Sequence, residues 1–121
     1  MKTLPNGITI FNATPHSIRF WKEGWSEPVE VETDAIVSAR VQEEIISIEN
    51  GVTFVTTTFM PIKDENYNKA FEAYKSGAIV VGSIIAAQAF PSVLVTITPA
   101  PGFERVPPDQ KRMNPDKFTV F

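Results

Sequence analysis

The sequence contains no cysteine and a single histidine, His16. The first absence removes disulfides and thiolate metal sites and fits a reducing compartment. The second leaves any nucleophilic triad with one candidate base. A set built on His16 with Ser17 or Ser83 is conceivable, but no spacing supports it. Zinc needs a cluster of His, Cys or carboxylates, and the pair Glu43-Glu44 is most simply solvent-facing. There is no P-loop, no dinucleotide-binding glycine fingerprint and no HExxH. Long apolar runs are missing as well. Ala78 to Phe90 comes closest, and Gly82, Ser83 and Gln88 interrupt it well short of the roughly 20 residues of a membrane span. The opening MKTLPNGITIFN lacks the apolar core of a signal peptide. These absences predict a soluble, cytosolic chain without metal or cofactor, a binding protein rather than an enzyme.

What is present fits one domain, residues 1–121, with an apolar share of 43% that suffices for a core. The formal charge of −3 argues against a protein that holds long nucleic acid by counterion release. The sign varies along the chain. Glu23 to Glu49 holds eight acidic residues against Arg40 alone, whereas Arg105 to Lys117 holds four basic and two acidic residues. The positive excess near the C-terminus is suited to a small anion, or is solvated surface.

Short β-rich runs fill the first half: Ile8–Phe11, Ser17–Trp21, Pro28–Glu32, Ile36–Val41, Ile45–Ile48 and Val52–Phe59. Lys22-Glu23-Gly24 and Asn50-Gly51 are turn signals between them. Val29 and Val31 alternate with Glu30 and Glu32, the pattern of a half-buried strand. Past Pro61 the period changes. Asp64 caps a helix whose Tyr67, Ala70, Phe71 and Tyr74 share a face, and Ser76-Gly77 ends it. Ala78–Val81 is a strand, Ser83 caps a second helix Ile84–Phe90, and Val93–Ile97 is again a strand. A proline-rich loop from Thr98 to Lys117 precedes a terminal strand, Phe118–Phe121. The expected class is α+β: a mainly antiparallel N-terminal sheet, two helices, the loop and a short C-terminal strand.

Three segments carry candidate chemistry. Asn12, Thr14 and His16 form either the edge of a polar pocket or, the reading preferred, a turn held by local side-chain hydrogen bonds. Gly82-Ser83 feeds a helix and offers backbone N–H groups to an anion, or is simply a tight turn with an N-cap. The loop Thr98–Lys117 holds five of the ten prolines and two of the four arginines. Loops of this length are usually functional or disordered. Disorder is disfavoured because Phe103, Val106, Met113 and the apolar end require burial. Proline restricts the loop before binding, arginine forks match phosphate, and Phe103 offers a stacking face. The combination suits a clamp for a small phosphorylated aromatic ligand; the plainer alternative is a connector or subunit-contact arm.

Ile10-Phe-Asn-Ala-Thr-Pro-His16, Gly82-Ser-Ile-Ile-Ala-Ala-Gln-Ala-Phe-Pro91 and Pro99-Ala-Pro-Gly-Phe-Glu-Arg-Val-Pro-Pro108 occur in order, followed by Lys111-Arg-Met113 and Pro115-Asp-Lys-Phe118. In order and spacing these blocks resemble the phage Thoeris anti-defence proteins of the first type. The resemblance spans most of the chain and is strongest after Gly82; between Pro28 and Tyr74 there is little. It implies a sponge that binds cyclic ADP-ribose isomers, immune signals of the bacterial host, without cleaving them. It also implies capture of cyclic oligonucleotides by some members at a separate site, and assembly as homodimers or as hexamers built from dimers. Ser83, Gln88, Phe103, Arg105 and Arg112 fall inside the matching blocks and carry over as pocket positions. Arg105 and Arg112 then face the pyrophosphate, with Gly82-Ser83 as a second candidate, and Phe103 the adenine. A cyclic-nucleotide hydrolase using His16, and a structural phage protein whose proline-rich arm docks on a partner, are the competing expectations.

Overall fold

The computed structural model describes residues 1–121 as a mixed α+β fold. Nine strands, β1 (Lys2–Thr3), β2 (Thr9–Asn12), β3 (Ile18–Phe20), β4 (Val29–Val31), β5 (Ala39–Glu49), β6 (Val52–Pro61), β7 (Ile79–Val81), β8 (Leu94–Pro99) and β9 (Met113–Thr119), are joined by two helices, α1 (Glu65–Lys75) and α2 (Ile84–Ala89). Seven strands form one sheet in the order β1-β2-β7-β8-β9-β3-β4, and β5 and β6 pair only with each other. Strands β2, β7 and β8 run parallel. Antiparallel pairing of β1 with β2, β8 with β9 and β3 with β4 completes most of the rest, with β3 joining β9 in parallel at Phe20 and Met113. No helix is long and apolar enough to cross a membrane.

The sheet curls until its ends meet. Lys2 Nζ donates to Glu30 O at 2.8 Å, Asn12 Nδ2 to Val31 O at 3.0 Å, and Asp34 N–H to Asn12 O at 2.8 Å, which brings β4 back against β1 and β2. Successive side chains on a strand point to opposite faces, so each inner strand feeds two cores. Ile10, Ile18, Phe20, Val31 and Val81 fill the inside of the curl. Phe11, Val80 and Leu94 face outward under the helices, against Ala70, Ala73, Ala86, Ala87 and Phe90. The alanines let the helix backbones lie close to the sheet. Gly82 does the same where β7 meets α2: a Cβ there would overlap Leu94 Cδ2.

Local signals in the sequence are met. The Asp64 carboxylate accepts the Tyr67 N–H at 3.0 Å and the Ser83 hydroxyl accepts the Ala86 N–H at 3.2 Å, each satisfying an orphan donor at a helix start. Asn50 and Gly51, with φ of 52° and 76°, make the two-residue turn whose twist suits a hairpin. Two boundaries differ from expectation. The expected runs Ile36–Val41 and Ile45–Ile48 merge into one strand, β5, which starts only at Ala39, leaves Ile36 to Ser38 outside it and is continuous through Gln42, Glu43 and Glu44, with a register shift between Ile45 and Ser47. The C-terminal strand begins at Met113 rather than Phe118, because a register shift between Ile97 and Pro99 lets the chain carry the buried Pro115 within the strand.

Candidate functional site

The proline-rich segment is shorter as a loop than its composition suggests. Strand β8 runs to Pro99 and β9 starts at Met113, and the loop is closed at its neck where Ala100 N–H donates to Arg112 O at 2.8 Å. Phe103 N–H turns back to Ala100 O at 2.9 Å, and a single 3₁₀ turn spans Pro108–Gln110. Arg19 Nη1 donates to Asp109 O at 2.9 Å and ties the far side of the loop to β3.

This fixing brings three side chains together. The Arg112 guanidinium carbon lies 5.0 Å from the Trp21 ring centroid and 5.0 Å from that of Phe103. The two rings meet edge to face at 5.8 Å and 64°. Both contacts are within the range in which a ring quadrupole attracts a cation. Trp21 is itself anchored: its Nε1–H donates to Trp25 O at 2.9 Å and its backbone N–H to Met113 O at 3.0 Å. None of the four ion pairs of the chain involves Arg112, so its N–H fork has no carboxylate partner.

Trp21 and Phe103 are walls of an open cleft of about 580 Å³, whose polar lining comes from Lys22, Glu23, Asn114 and Asp116. Arg112 rests against the rings rather than lining the cleft itself. The volume is of the order that small-molecule sites occupy. Lys22 is spoken for, its Nζ lying 3.0 Å from Asp116 Oδ2. Asn6 Nδ2 donates to Asp116 Oδ1 at 2.9 Å, and this bond, followed by the one from Lys22, holds the Asp116 carboxyl below its ordinary 3.8. Asp116 is therefore a charged tether between β9 and the N-terminal turn, and the uncommitted cation of the region is Arg112.

The five positions carried over from the sequence separate into groups. Phe103 and Arg112 are in contact. Arg105 is exposed in the turn that follows Phe103. Ser83 and Gln88 are exposed on α2, whose buried side packs on the outer core, and no hydrogen bond, ion pair or ring contact links them to Phe103 or Arg112. The Ser83 hydroxyl is occupied as an N-cap and Gly82 is required by Leu94, so local structure accounts for both. Trp21 is the site residue that the sequence reading missed. It was legible only as a β-former closing a strand; its role depends on the parallel meeting of β3 and β9, which no local pattern announces.

Asn12, Thr14 and His16 form the turn rather than a pocket edge. Asn12 is fully buried; its Nδ2 donates to His16 O at 2.8 Å and to Val31 O at 3.0 Å. Its Oδ1 accepts the Thr14 N–H at 2.9 Å and the Thr14 hydroxyl at 2.7 Å. The His16 side chain is exposed and only its backbone takes part, the carbonyl as acceptor and the N–H as donor to Thr14 Oγ1 at 3.4 Å. Asp34 closes the knot by accepting the Asn12 N–H at 2.8 Å and pairing with the Met1 ammonium. No group of three or more His, Cys, Asp or Glu side chains is brought together in the geometry of a metal site. Comparison of the chain with family models, curated proteins and solved structures returns no match.

Proposed function

We propose that the chain is a phage anti-defence sponge that captures a cyclic ADP-ribose isomer in the cytosol of an infected bacterium and holds it unchanged. The observation that carries this reading is the Arg112 guanidinium, stacked on Trp21 and Phe103 and free of any carboxylate. A pyrophosphate presents paired oxygens to an arginine fork, and adenine presents a flat face to an aromatic wall. Holding the guanidinium on two rings restricts its rotamers before the ligand arrives, which reduces the ordering cost of binding. The resemblance of the Gly82–Pro91 and Pro99–Phe118 blocks to the sponge family supplies the ligand class. Cyclic oligonucleotides are the second cargo that the resemblance implies.

Retention and turnover are separable in one experiment. Protein equilibrated with a panel of cyclic ADP-ribose isomers and cyclic oligonucleotides is desalted, then heat-denatured. The expected result is release of the intact cyclic ligand in stoichiometric amount. A linear product would replace the sponge by a hydrolase, and His16→Ala would then show whether the lone histidine takes part. Absence of any retained nucleotide would leave the proline-rich loop as a protein-contact arm.

A further inference from the structure

The aromatic cleft carries two polar groups that the fold leaves unused. One is the Glu23 carboxylate. Lys22 to Trp25 make a turn in which Trp25 N–H donates to Lys22 O at 3.1 Å and Gly24 takes a φ of 99°, the left-handed conformation that a type II turn needs at its third residue. The bond from Trp21 Nε1–H to Trp25 O fastens the end of that turn. Glu23, at the second position, is thereby held on the cleft wall that Trp21 also forms. Its carboxylate has no ion-pair or hydrogen-bond partner. The other group is the Asn114 amide. Its Oδ1 accepts the Asp116 N–H at 2.9 Å, which orients the half-buried side chain and leaves the Nδ2 hydrogens without an acceptor. The remaining charges of the lining cancel, since Lys22 Nζ lies 3.0 Å from Asp116 Oδ2. The cleft therefore offers one free anionic acceptor, one free neutral donor and two ring walls, and its net charge is that of Glu23.

We infer, on the cyclic-nucleotide reading of this cleft, that Glu23 and Asn114 hold the vicinal hydroxyls of a ribose, so that the cleft takes the sugar of the ligand while its pyrophosphate stays outside on Arg112. Charge places the phosphates. A lining with one net negative charge repels them, and the uncommitted cation, Arg112, touches the same two rings without lining the cleft. Donor count selects the sugar. An ionised carboxylate only accepts, through two oxygens. A cis-diol presents two adjacent O–H donors to that pair, the contact by which an acidic side chain holds a ribose in dinucleotide-binding folds. The diol oxygens keep lone pairs for the Asn114 N–H groups. An adenine edge fits less well, because beside its amino donor stands a ring-nitrogen acceptor that would face the second carboxylate oxygen. The rings instead take the face of the base. A cyclic nucleotide whose ring is closed through a hydroxyl of the seated ribose forfeits part of this contact, so the cleft sorts its ligands by linkage.

Isothermal titration tests this with four probes: cyclic ADP-ribose, its two analogues that each lack the 2-hydroxyl of one ribose, and cyclic inosine diphosphate ribose, which has an oxo group in place of the amino group. On the wild-type protein one of the two deoxy analogues is expected to bind about 10-fold more weakly than the parent, the scale of one hydrogen bond to a charged group, and the inosine analogue as tightly as the parent. Glu23→Ala changes an exposed residue and should leave the circular dichroism spectrum intact. It is expected to weaken the parent about 10-fold and to erase the difference between the parent and that deoxy analogue. Glu23→Gln keeps one acceptor oxygen and should fall between. A Glu23 that is only a surface charge near an anion predicts the opposite sign. Parent affinity unchanged or tighter in both variants, with the Arg112→Ala loss intact, overturns the inference and leaves the ligand reading standing. Weaker binding of the inosine analogue with both deoxy analogues unaffected moves Glu23 to the base and overturns it too. No binding of cyclic ADP-ribose to the wild-type protein overturns the ligand reading and the inference together.

Discussion

Replacing Arg112 by alanine is expected to weaken capture of the cyclic nucleotide about 100-fold. Hydrogen bonds to charged groups contribute about 1.5–3 kcal/mol each, and ~2.8 kcal/mol is a factor of ~100 in affinity. The protein should survive the change. The part of Arg112 that closes the loop is its carbonyl, which accepts the Ala100 N–H, and alanine retains it. The loss of two exposed-side cation–ring contacts costs roughly 1–2 kcal/mol of loop stability. Lysine separates charge from geometry. It keeps the positive charge but neither the planar fork nor the stacking, so Arg112→Lys should fall between wild type and alanine, at about a 10-fold loss. Arg105→Ala should cost less than Arg112→Ala, because Arg105 is exposed and no ring orients it. Isothermal titration with an intact cyclic ADP-ribose isomer reads all three. Equal affinities for wild type and Arg112→Ala would remove the guanidinium from the site.

Asn12→Ala is expected to cost about 3–4 kcal/mol of stability, on the scale of a core truncation. Its amide serves two backbone carbonyls and two Thr14 donors with no exposure to solvent. Alanine leaves those partners without the side chain, and each buried polar group stranded this way costs about 1–3 kcal/mol. The consequence spreads because the same amide joins the His16 turn to Val31 and so helps close the curled sheet. For a chain of this size a melting temperature lower by roughly 12–16 °C is expected. His16→Ala, which removes only an exposed ring, should leave it unchanged within a degree or two. Thermal denaturation followed by circular dichroism compares the two, and similar losses for both would contradict the turn as described.

Features governed by neighbouring residues were legible in the sequence. Asp64 and Ser83 cap their helices because a short oxygen-bearing side chain before an apolar period finds free N–H groups wherever the rest of the chain goes. Asn50-Gly51 turns the chain because both residues accept positive φ. The α+β class follows from the change of period at Pro61. Features that depend on distant partners were not legible. Gln42-Glu43-Glu44 reads as a break between strands only if a strand must bury a face, and β5 buries none of its residues within the chain. The parallel contact between Phe20 and Met113 that places Trp21 beside Phe103 and Arg112 joins residues far apart in the chain. Of the candidate site, Phe103 and Arg112 were accessible from composition and resemblance, whereas Trp21 required the fold.

Trp21 also provides the most direct measurement. The chain has two tryptophans, and Trp25→Phe leaves Trp21 as the sole reporter while keeping the Trp25 carbonyl position that anchors its Nε1–H. Titration of this variant with a cyclic ADP-ribose isomer should give a saturable change in Trp21 fluorescence, of one ligand per cleft. The same titration on the Arg112→Ala background should require about 100-fold more ligand. Saturable binding of the isomer with no change in Trp21 emission would place the site elsewhere on the molecule and contradict the account.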